Sequence, residues 1–143
     1  MMADAAQQLA TAAGEAMWRA DRATKWLGMQ LEEIRAGYTR MSMTVTEQMT
    51  NGQDYCHGGL IFSLADSSFG FACNSRNQRA LAASCAIEFL APAQVGDRLS
   101  AECRETAVSG RTGVYDARVT NQKGELIALL RGKSATIKGK WVE

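Results

Sequence analysis

Residues 58–74 set Leu60, Ile61, Leu64, Ala65, Phe69, Phe71 and Ala72 on almost every side of a helical wheel. A helix that is apolar all round offers water no face, so the rest of the chain has to enclose it. This segment carries a single acid, Asp66, and no other carboxylate interrupts the sequence between Asp54 and Glu88. Burying an ionised carboxylate among Leu64, Ala65, Phe69 and Phe71 costs several kcal/mol unless something specific stabilises it. Chemistry is the usual reason to tolerate that cost.

The material available to enclose the helix is mostly strand. From Tyr38 the hydrophobic period is two: Met41, Met43 and Val45 alternate with Arg40, Ser42 and Thr44, and Asn51-Gly52 closes the segment in a turn. After the helix, Ala83, Cys85, Ile87 and Phe89 alternate with Ser84, Ala86 and Glu88, and Pro92 with Val95-Gly96-Asp97 marks a turn into Leu99, Ala101 and Cys103. Ser109-Gly110 punctuates again before Tyr115, Ala117 and Val119, and Asn121 to Gly124 lead into the apolar run Leu126–Leu130. Short turns between consecutive strands predict an antiparallel sheet, with about four strands after the helix and one or two before it. The fold class is therefore α+β, a sheet wrapped around one long buried helix at 58–75.

Ahead of the strands, Leu9, Ala13, Met17, Ala20 and Trp26 or Leu27 fall at helical spacing, with Gln7, Glu15, Arg19 and Arg22 elsewhere and Gly28 as a stop. This predicts an amphipathic helix over 4–27, within an N-terminal segment 1–28 that packs outside the sheet. At 143 residues the whole chain, 1–143, is sized for one domain.

Composition narrows the function classes. Sixteen basic and fifteen acidic residues leave a net charge of +1, which gives no general attraction to nucleic acid or an anionic membrane. No stretch approaches the roughly twenty apolar residues of a membrane-spanning helix, and Met1-Met2-Ala3-Asp4 does not begin a signal sequence, so a soluble, cytoplasmic protein is expected. Cys56, Cys73, Cys85 and Cys103 form no Cys-x-x-Cys pair, and the single histidine, His57, cannot complete a zinc site with them. Four reduced, mostly buried thiols and no metal are the expectation.

His57-Gly58-Gly59 opens the apolar helix, and Asn51-Gly52 precedes it. Together with Thr44-Val45-Thr46, Met49, Cys56, Phe62-Ser63-Leu64-Ala65-Asp66, Cys73-Asn74-Ser75, Glu88-Phe89-Leu90, Thr112-Gly113-Val114-Tyr115-Asp116 and Arg131-Gly132-Lys133-Ser134, this pattern resembles the hotdog-fold acyl-CoA thioesterases. Within them it is most similar to the bacterial phenylacetic-acid-degradation (PaaI-type) branch, from about Met41 onward. His-Gly-Gly by itself is a weak signal; with Asn51 and Asp66 at these spacings in this element order it is a specific one.

The resemblance implies hydrolysis of an acyl-CoA, of phenylacetyl-CoA or hydroxyphenylacetyl-CoA type, to the free acid and CoA. It implies Asp66 as the catalytic carboxylate, activating water or attacking the thioester directly, Gly58 as an oxyanion donor through its backbone N–H, and Asn51 as an orienting amide. His57 either holds the loop or contributes to binding. Physical chemistry supports the first two roles. Desolvation makes a carboxylate more basic, and an unpaired N–H at a helix start lies at the positive end of the helix dipole. No cofactor is required, since CoA enters as part of the substrate.

Spacing adds an inference of its own. Gly58 and Asp66 are eight residues apart, about 12 Å along one helix at 1.5 Å per residue. One thioester does not comfortably touch both, so Asp66 of one protomer is expected to face Asn51 and Gly58 of another across a dimer interface. The family pattern implies a further pairing into a homotetramer.

The phosphates of CoA call for local positive charge, and Arg111, Arg131 and Lys133 are the candidates, with Lys138 and Lys140 behind them, while Gly59 is expected to join them in binding the substrate. Solvated strand ends explain these residues equally well. Met43, Met49, Phe62 and Phe69 either line an acyl pocket or belong to the core. Two other classes stay open: a hydratase or dehydratase of the same fold, and a non-catalytic acyl-CoA sensor.

Overall fold

The computed structural model describes residues 2–143. Helix α1 spans Met2–Ala20 and a short α2 spans Arg22–Trp26, followed by β1 (Gln30–Arg35) and β2 (Tyr38–Thr44). The central helix α3 (Gly58–Cys73) follows, then β3 (Ala80–Phe89), β4 (Arg98–Ser109), β5 (Thr112–Thr120) and β6 (Leu126–Thr136). The six strands form one sheet in the order β1-β2-β4-β5-β6-β3, and every neighbouring pair is antiparallel. Two strands before α3 and four after it match the α+β reading of the sequence. The alternation did not say that β3 leaves the meander and pairs with β6 at the far edge.

The α3 helix lies across one face of this sheet. Leu64, Phe69 and Phe71 are fully buried, packed with Met41 and Met43 of β2, Leu99 and Cys103 of β4, and Val119 of β5. The ring of Phe69 meets Tyr115 with centroids 5.6 Å apart. Beneath it, Gly132 of β6 has no room for a side chain, since a Cβ there would stand 2.6 Å from Phe69 Cε2. Gly132, part of the Arg131-Gly132-Lys133-Ser134 motif, is thus a packing requirement. Thr39 donates to the Ser68 carbonyl at 2.6 Å, tying β2 to the helix.

The N-terminal helical segment is interrupted where the periodicity predicts continuity. Asp21 has an extended backbone, and its Oδ1 accepts the Thr24 N–H at 2.9 Å, so it caps a new helix instead of continuing the old one. Both pieces stop before Gly28, which adopts φ +75. Gly14 lets α1 lie close on β1, a Cβ there standing 3.0 Å from Ile34 Cδ1.

The central helix is not covered on every side. Phe62, Ser63, Asp66, Gly70 and Cys73 recur at helical spacing as a half-buried stripe, while Ile61, Leu64, Ala65, Ser68 and Phe69 face the core. The strand nearest Asp66 is also open: along β3 only Ala80 is buried, and Leu81 is 60% exposed.

Candidate active site

The approach to α3 is a tightly tied loop. Asn51 donates its backbone N–H to the Tyr55 carbonyl at 2.8 Å, and its Oδ1 accepts from the N–H groups of Gln53 and Tyr55 at 2.9 and 3.2 Å. Asp54 takes φ +64 to complete the turn. The loop is anchored where Cys56 donates to Ala93 O at 2.8 Å and His57 N–H donates to Met49 O at 2.7 Å. These bonds use the Asn51 carbonyl and leave its amide nitrogen as an unengaged donor among the described residues.

His57 is the N-cap of α3. Its Nδ1 accepts the Gly59 N–H at 2.9 Å, so in the neutral ring the proton sits on Nε2. The cap engages Gly59 but not Gly58, whose N–H bonds to nothing among the described residues. First-turn N–H groups have no partner within their own helix, and the helix dipole adds positive potential there. The sequence-derived residues therefore divide: His57 and Gly59 share the capping bond, and Gly58 presents the open donor.

Asn51 and Gly58 line one cavity of about 350 Å³, walled by Tyr55, Ile61, Phe89 and Leu90. The Phe89 ring lies on Gly58, a Cβ at 58 standing 3.2 Å from Phe89 Cζ. Phe89 is 51% exposed and also lines this cavity. The sequence placed Phe89 on the strand's apolar face but held no signal that the ring would meet the helix start.

Asp66 does not line this cavity. Two turns further along α3 it is half-buried, and Oδ1 accepts a long hydrogen bond from Cys85 Sγ at 3.9 Å. Burial raises its pKa above the ordinary carboxylate value, and the Cys85 bond partly offsets that rise. Within one chain, then, Asn51 and Gly58 come together and Asp66 stands apart. Cys85 is a neighbour the strand pattern did not single out.

The basic candidates lie elsewhere. Arg131 and Lys133 alternate along β6 with buried Leu130 and Gly132, so they project from the sheet face opposite α3. Arg131 grips Asp116 with Nε–Oδ1 at 2.8 Å and Nη2–Oδ2 at 2.9 Å, which engages both arms of its guanidinium fork and holds Asp116 below the usual carboxylate range. Arg131, a candidate for the CoA phosphates, is thus paired with Asp116 at the exposed surface. Arg111 is exposed and donates to Thr136 O at 3.1 Å, and Lys133 is exposed. Of the acyl-pocket candidates, Met43, Met49 and Phe69 are core, and Phe62 is half-buried on α3.

All four cysteines carry free thiols, Cys56 and Cys103 buried, Cys73 and Cys85 half-buried. Among the described residues no three His, Cys, Asp or Glu side chains converge on a possible metal position, and no helix is long and apolar enough to cross a membrane.

Residues 53–128 match the family model described as the thioesterase superfamily. The acyl-coenzyme A thioesterase PaaI of Escherichia coli K12 is 44% identical over 87% of this chain and 89% of its own length. The structure of the E. coli PaaI protein from the phenylacetic acid degradation operon superposes with TM-score 0.93 at 41% identity, covering 94% of this chain and 98% of that one. A Streptococcus mutans protein solved with acetyl-CoA bound matches at TM-score 0.74 and 26% identity over 78% of this chain and 90% of its own. The sheet around α3 is accordingly a hotdog fold.

Proposed function

The chain belongs to the thioesterase superfamily, and from that premise we propose that it is a soluble, cytoplasmic acyl-CoA thioesterase. Its substrates are of phenylacetyl-CoA or hydroxyphenylacetyl-CoA type, and its products are the free acid and CoA. The observation that carries the proposal is the open Gly58 N–H at the start of α3, beside the Asn51 amide, with a half-buried carboxylate on the same helix. The likeness to a PaaI from a phenylacetic acid degradation operon supports the acyl class, and the acetyl-CoA bound by the streptococcal relative supports the thioester class.

In this mechanism the thioester carbonyl oxygen accepts from the Gly58 N–H, and the Asn51 amide orients the carbonyl or the attacking water. Along the water route, Asp66 takes a proton from water as its oxygen bonds to the carbonyl carbon. The tetrahedral oxyanion is held by the Gly58 N–H, whose worth grows with the charge it faces. Collapse breaks the C–S bond, and the proton on Asp66 goes to the departing CoA thiolate. Along the direct route, Asp66 attacks the carbonyl carbon, expels the thiolate and forms an anhydride that water then cleaves. Both begin from an ionised, poorly hydrated carboxylate, which its surroundings favour as a base.

One chain does not complete the site. The separation of about 12 Å along α3, and the absence of Asp66 from the cavity lined by Asn51 and Gly58, support a dimer in which each site takes its donors from one protomer and its carboxylate from the other. The unpaired β3 edge, with Leu81 exposed and the half-buried stripe of α3 beside it, suits a second copy. Dimers pair again into the tetramer. Lys133 and Arg111 hold the CoA phosphates from the rim of the assembly, while Arg131 shapes that rim through Asp116.

The deciding experiment is thiol release from an acyl-CoA panel, including phenylacetyl-CoA and short straight chains, by wild type and Asp66→Asn of equal oligomeric state. Loss of about a hundredfold or more in kcat is expected when a general base is removed. Binding without thiol release by the wild type would discard the thioesterase reading.

A further inference from the structure

We propose that Cys85 is a positioning residue for the reaction: its thiol holds Oδ1 of Asp66 so that Oδ2 is presented to the water or the thioester carbonyl. The inference rests on the reading of Asp66 as the catalytic carboxylate. It adds a residue on a different element, β3, that touches neither substrate nor oxyanion.

The geometry is specific. Cys85 Sγ lies 3.9 Å from Asp66 Oδ1, within sulfur hydrogen-bond range, and this is the one side-chain hydrogen bond to Asp66 among the described residues. Oδ2 has no such partner among the described residues. A carboxylate pinned at one oxygen loses rotation about its terminal torsion, which is otherwise broad, and presents the other oxygen in a defined direction. Cys85 is itself held by the strand ladder, paired with Gly132 of β6. Gly132 in turn is fixed under Phe69 of α3. Helix and thiol therefore share one rigid contact, which sets the distance between the carboxylate and its donor.

The thiol's own chemistry agrees. Burial first, then the adjacent Asp66 charge and the shared hydrogen bond, raise the Cys85 pKa. The sulfur thus keeps its proton through the neutral range and acts as a donor, not as a thiolate nucleophile. Besides Cys85, the other titratable group felt at this point is the Cys73 thiol, one element of the same helix stripe, whose pKa is pushed up to about 12 chiefly by burial. No lysine, arginine or histidine among the described residues acts on Asp66. Among the described residues the thiol is therefore the only side chain that favours the ionised carboxylate.

The test compares Cys85→Ala and Cys85→Val with wild type in the assembled protein, reading kcat/KM for phenylacetyl-CoA against pH. Both variants remove the donor, and valine restores the lost volume. The rising limb is expected to move to higher pH by about half a unit in both, as fits the loss of one weak hydrogen bond to the charged form, with kcat lowered several-fold and KM unchanged. A cavity effect alone would separate the two variants, and it would leave the limb in place. Infrared spectra give a second reading that needs no activity: the S–H stretching band that disappears in Cys85→Ala should lie at lower frequency in wild type than in Asp66→Ala.

Superimposable pH profiles in all three proteins, or an S–H band indifferent to Asp66, would overturn the proposal. Asp66→Asn separates this failure from that of the underlying mechanism. If that variant is inactive while the Cys85 variants behave as wild type, Asp66 remains the catalytic residue and only the positioning role falls. If Asp66→Asn is fully active, the mechanism itself falls.

Discussion

Gly132 of β6 lies flat against the ring of Phe69 of α3, with a Cβ at 132 placed 2.6 Å from Cε2 and 2.8 Å from Cδ2 and Cζ. Real side-chain atoms do not approach so closely, and both elements are anchored, the strand by neighbours on either side and the ring by Tyr115. Gly132→Ala is therefore expected to destabilise the fold by about 1–3 kcal/mol through overpacking. Chemical denaturation measures it; an unchanged midpoint would mean that the helix shifts freely on its sheet.

Asp66 makes activity and stability pull in opposite directions. Its pKa is raised in the folded state, chiefly by burial, so the folded protein holds that proton more tightly than the unfolded chain. The stability this contributes is fully present below the unfolded carboxylate pKa and is lost as pH rises through the higher folded value. Asp66→Asn, which cannot ionise, should melt above wild type at neutral pH, with the gap closing toward acid. The same titration gives kcat/KM a rising limb that begins above the range of an ordinary aspartate. A melting gap that widens in acid would reverse the assignment.

His57 can be tested as a cap separately from any chemical role. Its Nδ1 accepts the Gly59 N–H, and loss of an N-cap acceptor costs about 1 kcal/mol. His57→Ala should show that loss, with reduced kcat as the Gly58 donor loses its bearing. His57→Asn, which keeps an acceptor, should recover most of both. Equal loss of activity in the two variants, with stability recovered only in the second, would place the imidazole in contact with substrate.

The assembly prediction concerns β3. Leu81→Asp puts a charge on an exposed edge residue that supports no part of the core of its own chain. Light scattering should report a monomer with unchanged far-ultraviolet circular dichroism, and kcat/KM should drop by about a hundredfold or more, since the base is then separated from its oxyanion donor. A monomer of wild-type activity would disprove the shared site.

Recognition of CoA can be divided between neighbouring cations. Arg131 is bound to Asp116 at the surface, where such a pair contributes little to stability, whereas Lys133 has no ion pair among those found in the described residues. Lys133→Ala should raise KM for acyl-CoA about fivefold to tenfold, as for loss of one charge-assisted phosphate contact. It should leave KM for the acyl-pantetheine unchanged, because that substrate lacks the nucleotide phosphates. An equal rise for both substrates would move Lys133 away from the phosphates.

Much of this was legible before any coordinates. The all-round apolar run from Leu60 to Ala72 required enclosure, the period-two segments supplied a sheet to enclose it, and the lone Asp66 and the His57-Gly58-Gly59 start marked the candidate site. Each of these is a local property, encoded by side-chain order along one element. The break at Asp21 was a local signal too, an N-cap hidden inside a helical period because Asp and Thr24 bond each other as well as the backbone.

What only the tertiary structure decided is which distant residues became neighbours. Alternation says which face of β3 is apolar but not that the strand sits at the edge beside β6, so it could not set Cys85 against Asp66 or Phe89 against Gly58. A period repeats along one strand and carries no address for its partner. Register and adjacency are settled by the packing of the whole core, and there the apolar run around Asp66 became a helix with one open side.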